Sequence, residues 1–466
     1  MKPVLFITTV VLTLLSTVSV WSQSQNRNVP TAEIPQVWNF NDSTSLADPT
    51  LSTGVYPAAQ FHGPDCGCID QHSSLHCPDV SPPAEESFPS VKVTGFFHLD
   101  GAWFDQDAQN TLTLGDIDDG LAFRRTRLGV QGSVAENVSY NVEFDIAQSQ
   151  ARFVDVWLQL DDTRFGNVRI GRFRQPFGMS ELTSVRELPF LERPLTFTQS
   201  PFRQTGVSLF DTTADERGTW AVAGYRFVSD NFGNVFSDSG GYGLTTRFTR
   251  VPIEWGENRL FHIGADYSLN NPGGGVVQLV TTNEVFVGQN PNLGPPGLSV
   301  LPIVGVPPFV NTGPVPTDTF QLFNVEAALA LGRLAIQSEA RWAQIETVAG
   351  NSAVLPGAYA QFRYALTGET IPYNKTNGAF GRITPRRDFD NAGGSGAVEL
   401  LGRVSHLDLN DAQIAGGRLT NFTVGCNWYW NRFTKLQFNW IRSVLDNPTF
   451  GDSDASTFAG RVQLDF

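Results

Sequence analysis

The final nine residues, FAGRVQLDF from Phe458 to Phe466, alternate without a break. Phe458, Gly460, Val462, Leu464 and Phe466 share one face of an extended chain, and Ala459, Arg461, Gln463 and Asp465 share the other. One face suits hydrocarbon and the other suits water. The same period runs from Val138 to Ala147, where Val138, Tyr140, Val142, Phe144 and Ile146 alternate with Ser139, Asn141, Glu143, Asp145 and Ala147. A soluble sandwich can carry such a pattern too, so the weight falls on repetition. Sixteen alternating segments follow one another near 91–104, 121–133, 137–148, 151–161, 165–174, 204–211, 218–228, 241–251, 258–268, 319–331, 333–347, 354–366, 396–408, 419–430, 432–445 and 457–466. An even number of this size predicts an all-β fold: a transmembrane antiparallel β-barrel of about 16 strands, wide enough for an aqueous lumen.

The terminal strand, ending on an aromatic residue, resembles that of bacterial outer-membrane barrels, which implies recognition by the barrel assembly machinery. The other end agrees about compartment. Lys2 precedes an uncharged run from Val4 to Val20, and Ser22 supplies a small residue for cleavage, so residues 1–22 are expected to be a secretory signal peptide. Beyond that run no segment has about 18 consecutive apolar residues, so membrane contact after export falls to strands. The composition fits: 44 Gly, 28 Pro and 35 Phe against 2 Met favour turn-rich, pleated structure over long helices.

Residues 23–90 read as a separate, disordered periplasmic leader, rich in Ser, Pro and Asp and without a sustained period. Arg27 stands there against eight acids, so about half of the net charge of −14 lies outside the candidate barrel, 91–466. Net charge therefore does not set pore selectivity, which depends on the groups at the constriction. The leader also gathers His62, Cys66, Cys68, His72, His76 and Cys77. Thiolate and imidazole make this a candidate zinc or copper site, but the spacing matches no strong zinc pattern. A disulfide with one odd thiol is the alternative in an exported protein, and a cluster with no specific role is a third. Cys426 shares an apolar face with Phe422, Val424 and Trp428 and reads as a small lipid-facing residue.

With the first strand running outward, short turns near Glu136, Thr163, Ala214, Leu331 and Asn431 are periplasmic, and 105–120, 175–203 and 269–318 are long external loops. The segment 367–395 is long but falls on the short-turn side; either the strand count slips there or this turn folds into the lumen. Trp103, Trp157, Tyr225, Tyr242, Trp342, Tyr359, Trp428, Tyr429, Trp430 and Trp440 lie mostly toward segment ends, as interface girdles do.

GRFRQPFGMSELTSVRELPFLER, from Gly171 to Arg193, resembles the glycine, Pro-Phe, Glu-Leu-Thr-Ser and Glu-Arg pattern of the phosphate-selective porin O/P family. FRRTRLGV at Phe123, LTGETIPYN at Leu366, FGRITPRRDF at Phe380 and the stretch containing RVSHLDLND and GGRLTNFTVGCNWYWN extend the likeness over nearly all of the chain from Val91. The resemblance implies a homotrimer of sixteen-stranded barrels in the outer-membrane bilayer, narrowed by inward-folded loops and one inward-folded periplasmic turn. It implies passive diffusion of small anionic solutes.

Register places Arg125, Arg127, Arg169, Arg247, Arg341, Arg363, Arg403 and Arg461 on the lumen face. Arg172, Arg174, Arg186, Arg193 and Arg203 surround the long loop expected to form the constriction, and Arg382, Arg386 and Arg387 sit on the candidate inward turn. Guanidinium groups stay charged and present a planar fork to phosphate or carboxylate oxygens, so a ladder of them would concentrate anions. The competing reading is structural: Glu143, Asp145, Asp155, Asp266, Glu326, Glu339 and Glu399 share that face and can brace the wall instead. One departure bears on the solute. Phosphate-binding members use lysines for much of the positive lumen field, whereas this barrel region holds only Lys92, Lys375 and Lys435. Alternatives to the anion pore are a weakly selective porin with an envelope-anchoring role, or a barrel enzyme. Catalysis needs a nucleophile beside an oriented base, and no such motif surrounds His98, His262 or His406. Neither cofactor nor nucleic acid is indicated, since no glycine-rich phosphate loop opens a helix.

Overall fold

The computed structural model describes residues 88–147, 151–227, 241–287, 305–411 and 413–466. The signal segment, the leader up to residue 87 and its Cys/His cluster lie outside the described residues. Sixteen strands form the wall: β1 (Lys92–Gln106), β2 (Gly120–Ala135), β3 (Val138–Asp145), β4 (Arg152–Thr163), β5 (Gly166–Arg174), β6 (Arg203–Thr212), β7 (Gly218–Phe227) and β8 (Gly241–Gly256), then β9 (Arg259–Asn271), β10 (Val315–Leu331), β11 (Leu334–Thr347), β12 (Ser352–Ala365), β13 (Ala397–Asp411), β14 (Ile414–Tyr429), β15 (Thr434–Asn447) and β16 (Gly451–Asp465). Each alternating segment of the sequence is one of these strands. Every strand pairs antiparallel with its neighbours in the chain, and β16 returns to β1 with Phe96 opposite Asp465 and Gln106 opposite Ala455. The sheet is closed and leaves no edge, as a wall in hydrocarbon requires.

The terminal strand shows the register. Phe458 is 47 % exposed on the outer face, while Arg461 is 2 % exposed and Gln463 fully buried on the inner one. Cys426 is half-buried on the outer face beside exposed Phe422 and Val424. Four of the ring residues expected at membrane girdles face inward instead. Trp157 lines the lumen, and the Tyr225, Tyr359 and Tyr429 hydroxyls reach Asn270, Glu339 and Glu399. A phenol in the wall faces the side that supplies a hydrogen-bond partner. Trp103, Tyr242 and Trp440 do lie exposed on the outside.

Three connections fill much of the interior. The segment 175–202, between β5 and β6, runs along the inner wall with two short helical turns, Met179–Leu182 and Leu195–Thr198, and its remaining carbonyls need donors. The wall provides them. Gln463 donates to Arg186 O, Lys435 to Leu188 O, Gln437 and Asn427 to Pro189 O, Arg461 to Leu191 O and Arg403 to Glu192 O. The segment 366–396 leaves the short-turn end and folds into the barrel: Arg247 donates to Asn377 O and Gly378 O, and Arg363 to Gly381 O. The strand count therefore does not slip at this segment.

The third connection, 272–314, changes the character of half the lumen. Val277, Leu279, Val285, Val306, Phe309 and Val310 pack with inward-facing Leu355, Leu407, Leu409, Leu419, Ile441 and Leu445 in one buried cluster. The inner wall toward the long-loop end of β12–β16 is thus apolar, covered by a loop with matching side chains, and excludes water.

At the seam, Glu192 ties the 175–202 loop directly to β2 and β16, and through Arg461 to β1. Its carboxylate accepts from Arg124 Nε at 3.1 Å, Arg125 Nη2 at 2.7 Å and Arg461 Nη2 at 3.0 Å, and Arg461 also forks onto Asp100 at 2.6 Å. Burial disfavours the charged carboxylate, but the three guanidinium groups overcome it and hold Glu192 well below the usual range. On the loop's other flank Gly178, at φ +69°, donates its N–H to Asp266 Oδ2 at 2.7 Å; a Cβ there would lie 2.0 Å from Arg341 Nη2.

Glu192→Gln should lower the temperature at which the detergent-solubilised barrel loses its β circular dichroism, as expected for a cost of about 3 kcal/mol from unbalancing a buried charge cluster. Because the Glu192 pKa is depressed, its contribution is present above the ordinary carboxylate value of roughly 4 and is lost only as pH falls further toward the depressed value. The gap between wild type and variant should therefore stay constant from pH 7 to about 5 and close in stronger acid; a gap that closes near neutrality contradicts the assignment. Gly178→Ala should loosen the loop through both its φ and the Arg341 contact, read as faster proteolysis within 175–202; unchanged cleavage would contradict it.

Candidate solute pathway

Alternation identifies which arginines face inward; the structure shows what each one meets. Most meet a carboxylate. Arg127 reaches Glu143 and Asp145, Arg203 reaches Asp155, Arg247 reaches Asp266 and Glu326, Arg341 reaches Glu339, and Arg363 reaches Glu399. Arg403 pairs with Glu284 of the 272–314 loop, and Arg382 with Asp465 and Glu187. All seven wall carboxylates named from the sequence are engaged in this way. Such pairs are buried deeply enough that removing one partner strands a charge.

Several candidates are absent from the lining of the two larger cavities formed by the described residues. Arg125 and Arg461 are consumed by the Glu192 cluster. Arg193, Arg363 and Arg403 border a void of about 10 Å³; Arg193 donates to the carbonyls of Ser180, Glu181 and Thr183. Arg172 is buried on Phe153 O. Arg386 and Arg387 are exposed rather than turned into the lumen, and Arg387 pairs with Asp390. The inward fold of 366–396 carries Arg382 inside but leaves these two beyond its bend.

The remaining candidates converge. Lys92, Arg127, Arg169, Arg174, Arg186, Arg203 and Arg432 line a cavity of about 650 Å³ together with only three acids, Glu143, Asp155 and Asp465. Strands β1–β6 form one side of it, Leu182–Arg186 of the loop another, and Asn377 of the inward turn closes it further. A second void of about 150 Å³ shares Arg169, Arg174 and Asn377 and continues along β6–β8 past Arg247. The three acids are already paired, with Arg127, Arg203 and Arg382.

The other cations are held mostly by neutral groups. Arg169 donates Nε and Nη2 to Gln159 Oε1 at 2.9 and 2.5 Å and lies over the Trp157 ring at 4.4 Å. Arg174 Nη1 donates to the carbonyls of Glu181, Leu182 and Thr183. Arg186 donates to Thr94 Oγ1 at 3.0 Å, stacks on Phe96, and has Glu143 at 3.7 Å. Neutral partners orient a guanidinium without cancelling its charge, so the cavity carries a positive field. Across the loop from it, burial pushes the Glu181 carboxyl up to about 7 despite Arg341, and Ser200 donates to its Oε2.

Lys92, Arg432 and Arg124 are absent from the sequence-derived set. Lys92 and Arg432 stand at the short-turn rim, and a charge at a strand end reads as ordinary solvated surface. Arg124 joins Arg125 inside because the β1–β2 register shifts between His98 and Leu99, an irregularity that strict alternation conceals. Of the three described histidines, His262 bridges Glu326 and the Tyr373 hydroxyl, His406 contacts Thr420 and His98 lies beside Arg125. Among the described residues no His, Cys, Asp and Glu cluster suited to a metal is present.

A protein-family model described as phosphate-selective porin O and P matches residues 91–289 and 308–466. An uncharacterized protein of Caulobacter vibrioides is 26 % identical over 93 % of this chain and 88 % of its own length. Porin O of Pseudomonas aeruginosa is 23 % identical, over 81 % and 88 %. Among solved structures, an anion-selective porin from Comamonas acidovorans superposes with a TM-score of 0.48 at 14 % identity, covering 81 % of this chain and 99 % of that one. The outer-membrane channel DcaP of Acinetobacter baumannii gives 0.47 at 11 % identity, over 81 % and 97 %. Barrel and family together point to a channel rather than an enzyme, and the chain belongs to the phosphate-selective porin O and P family of outer-membrane porins.

Proposed function

We propose that this porin is a passive diffusion pore with a preference for small anions. The observation that carries the reading is the charge balance of the 650 Å³ cavity: seven cationic side chains, against three carboxylates that are each paired elsewhere in the lining or on Arg382. Cations held by amides and carbonyls stabilise a passing anion without trapping it, since several weak sites in sequence permit both entry and exit. The overall charge of −14 does not oppose this, because only lining groups act at short range once salt has screened the rest.

The same reading keeps residues 1–22 as an export signal, 23–90 as a periplasmic leader and 91–466 as the barrel inserted by the assembly machinery. It also keeps a homotrimer. Strand β3 has 8 residues and β5 has 9, at or below the roughly 9–11 that a tilted strand needs to cross the hydrocarbon core. A short wall of this kind is well served by burial against neighbouring copies.

In planar bilayers with a salt gradient of potassium chloride, the reversal potential should report anion preference, and the triple variant Lys92→Gln, Arg169→Gln, Arg432→Gln should move it toward zero. Absence of discrete conductance steps would remove the channel, and cation preference in the wild type would remove the anion reading. In detergent, sedimentation should give about three chains per particle; one chain per particle would refute the trimer.

A further inference from the structure

We propose that the 650 Å³ cavity selects organic anions with a flat apolar body, aromatic carboxylates being the fitting class, over inorganic phosphate. This rests on the anion-preferring reading above and goes beyond it in naming the solute. Size is the first argument. The volume lies within the range of sites that enclose drug-sized ligands, and an ion as small as phosphate would meet one or two of its cations while keeping most of its water.

The second argument is the way the cations are mounted. Arg169 lies 4.4 Å from the Trp157 ring, Arg186 4.6 Å from Phe96 and Arg432 4.6 Å from Phe433. A guanidinium laid on a ring directs its N–H groups outward in its own plane, the geometry that meets a planar carboxylate. The acid's hydrocarbon body then lies beside the same aromatic wall, where it loses contact with water. These three cations thus stand on apolar platforms, which inorganic phosphate cannot use.

The third argument is the placement of the lysines. An ammonium is the compact charge that suits a small, charge-dense oxyanion. Lys435, deep in the lumen, donates to Leu188 O at 3.0 Å and is 1 % exposed, and Lys375 pairs with Glu254 at 2.7 Å. Of the three barrel lysines, only Lys92 borders the cavity.

The test uses the full-length protein in planar bilayers. The reversal potential in potassium chloride comes first; cation preference there defeats the underlying reading independently of the solute. In an anion-preferring pore, chloride current is then titrated at constant ionic strength with benzoate, acetate or phosphate. Benzoate should reduce the current at a concentration about tenfold below that needed for acetate or phosphate, the scale of one good aromatic contact. Trp157→Leu with Phe433→Leu should bring the benzoate and acetate concentrations together, and a variant that still separates them tenfold would overturn the role of the rings. Phosphate acting at or below the benzoate concentration would overturn the proposal, as would acetate matching benzoate in the wild type. A variant that gives no channels leaves the wild-type comparison to decide.

Discussion

A polypeptide in hydrocarbon cannot leave backbone N–H and C=O groups unpaired, and this constraint generates the rest of the molecule. It forces the sheet to close, with β16 returning to β1, and closure divides every strand into a lipid side and an inner side. Polar residues excluded from the outer face accumulate inside. There they need partners, and three inserted connections bring both partners and unsatisfied carbonyls of their own. The lumen of this porin is consequently a packed polar interior with an apolar half, and its open space is what those connections leave uncovered.

Two kinds of arginine result. Those opposite carboxylates, such as Arg363 on Glu399 at 2.6 Å, brace the wall and contribute little net field. Those held by neutral acceptors, such as Arg169 on Gln159 and Arg174 on three carbonyls, keep their charge available. The difference lies in the acceptor, and it concentrates positive charge along β1–β6, while Arg247 on β8 is neutralised by Asp266 and Glu326.

The wall was legible in the sequence because a strand in a barrel has one period and two environments, so sixteen alternating runs map onto sixteen strands. The inward fold of 366–396 was also visible, as a connection too long for its side of the barrel. Partners were not. Alternation assigns Arg403 to the inner face but cannot show that Glu284, 119 positions away, comes from a loop to meet it. Nor does it separate an inner face that meets water from one that meets another loop, which is why inward Leu407 and Ile441 carried no signal of the apolar half. The placement of Arg124 was hidden for a simpler reason, since one bulge shifts the face of whatever lies beyond it.

The Glu192 cluster has a consequence for how the barrel is made. Glu192 lies 67 positions from Arg125 and 269 from Arg461, so its charge finds full compensation only when the first and last strands meet. Barrel closure and the seating of the loop are therefore coupled through contacts of high contact order. The same residues that shape the resting pore serve as the latch of its assembly.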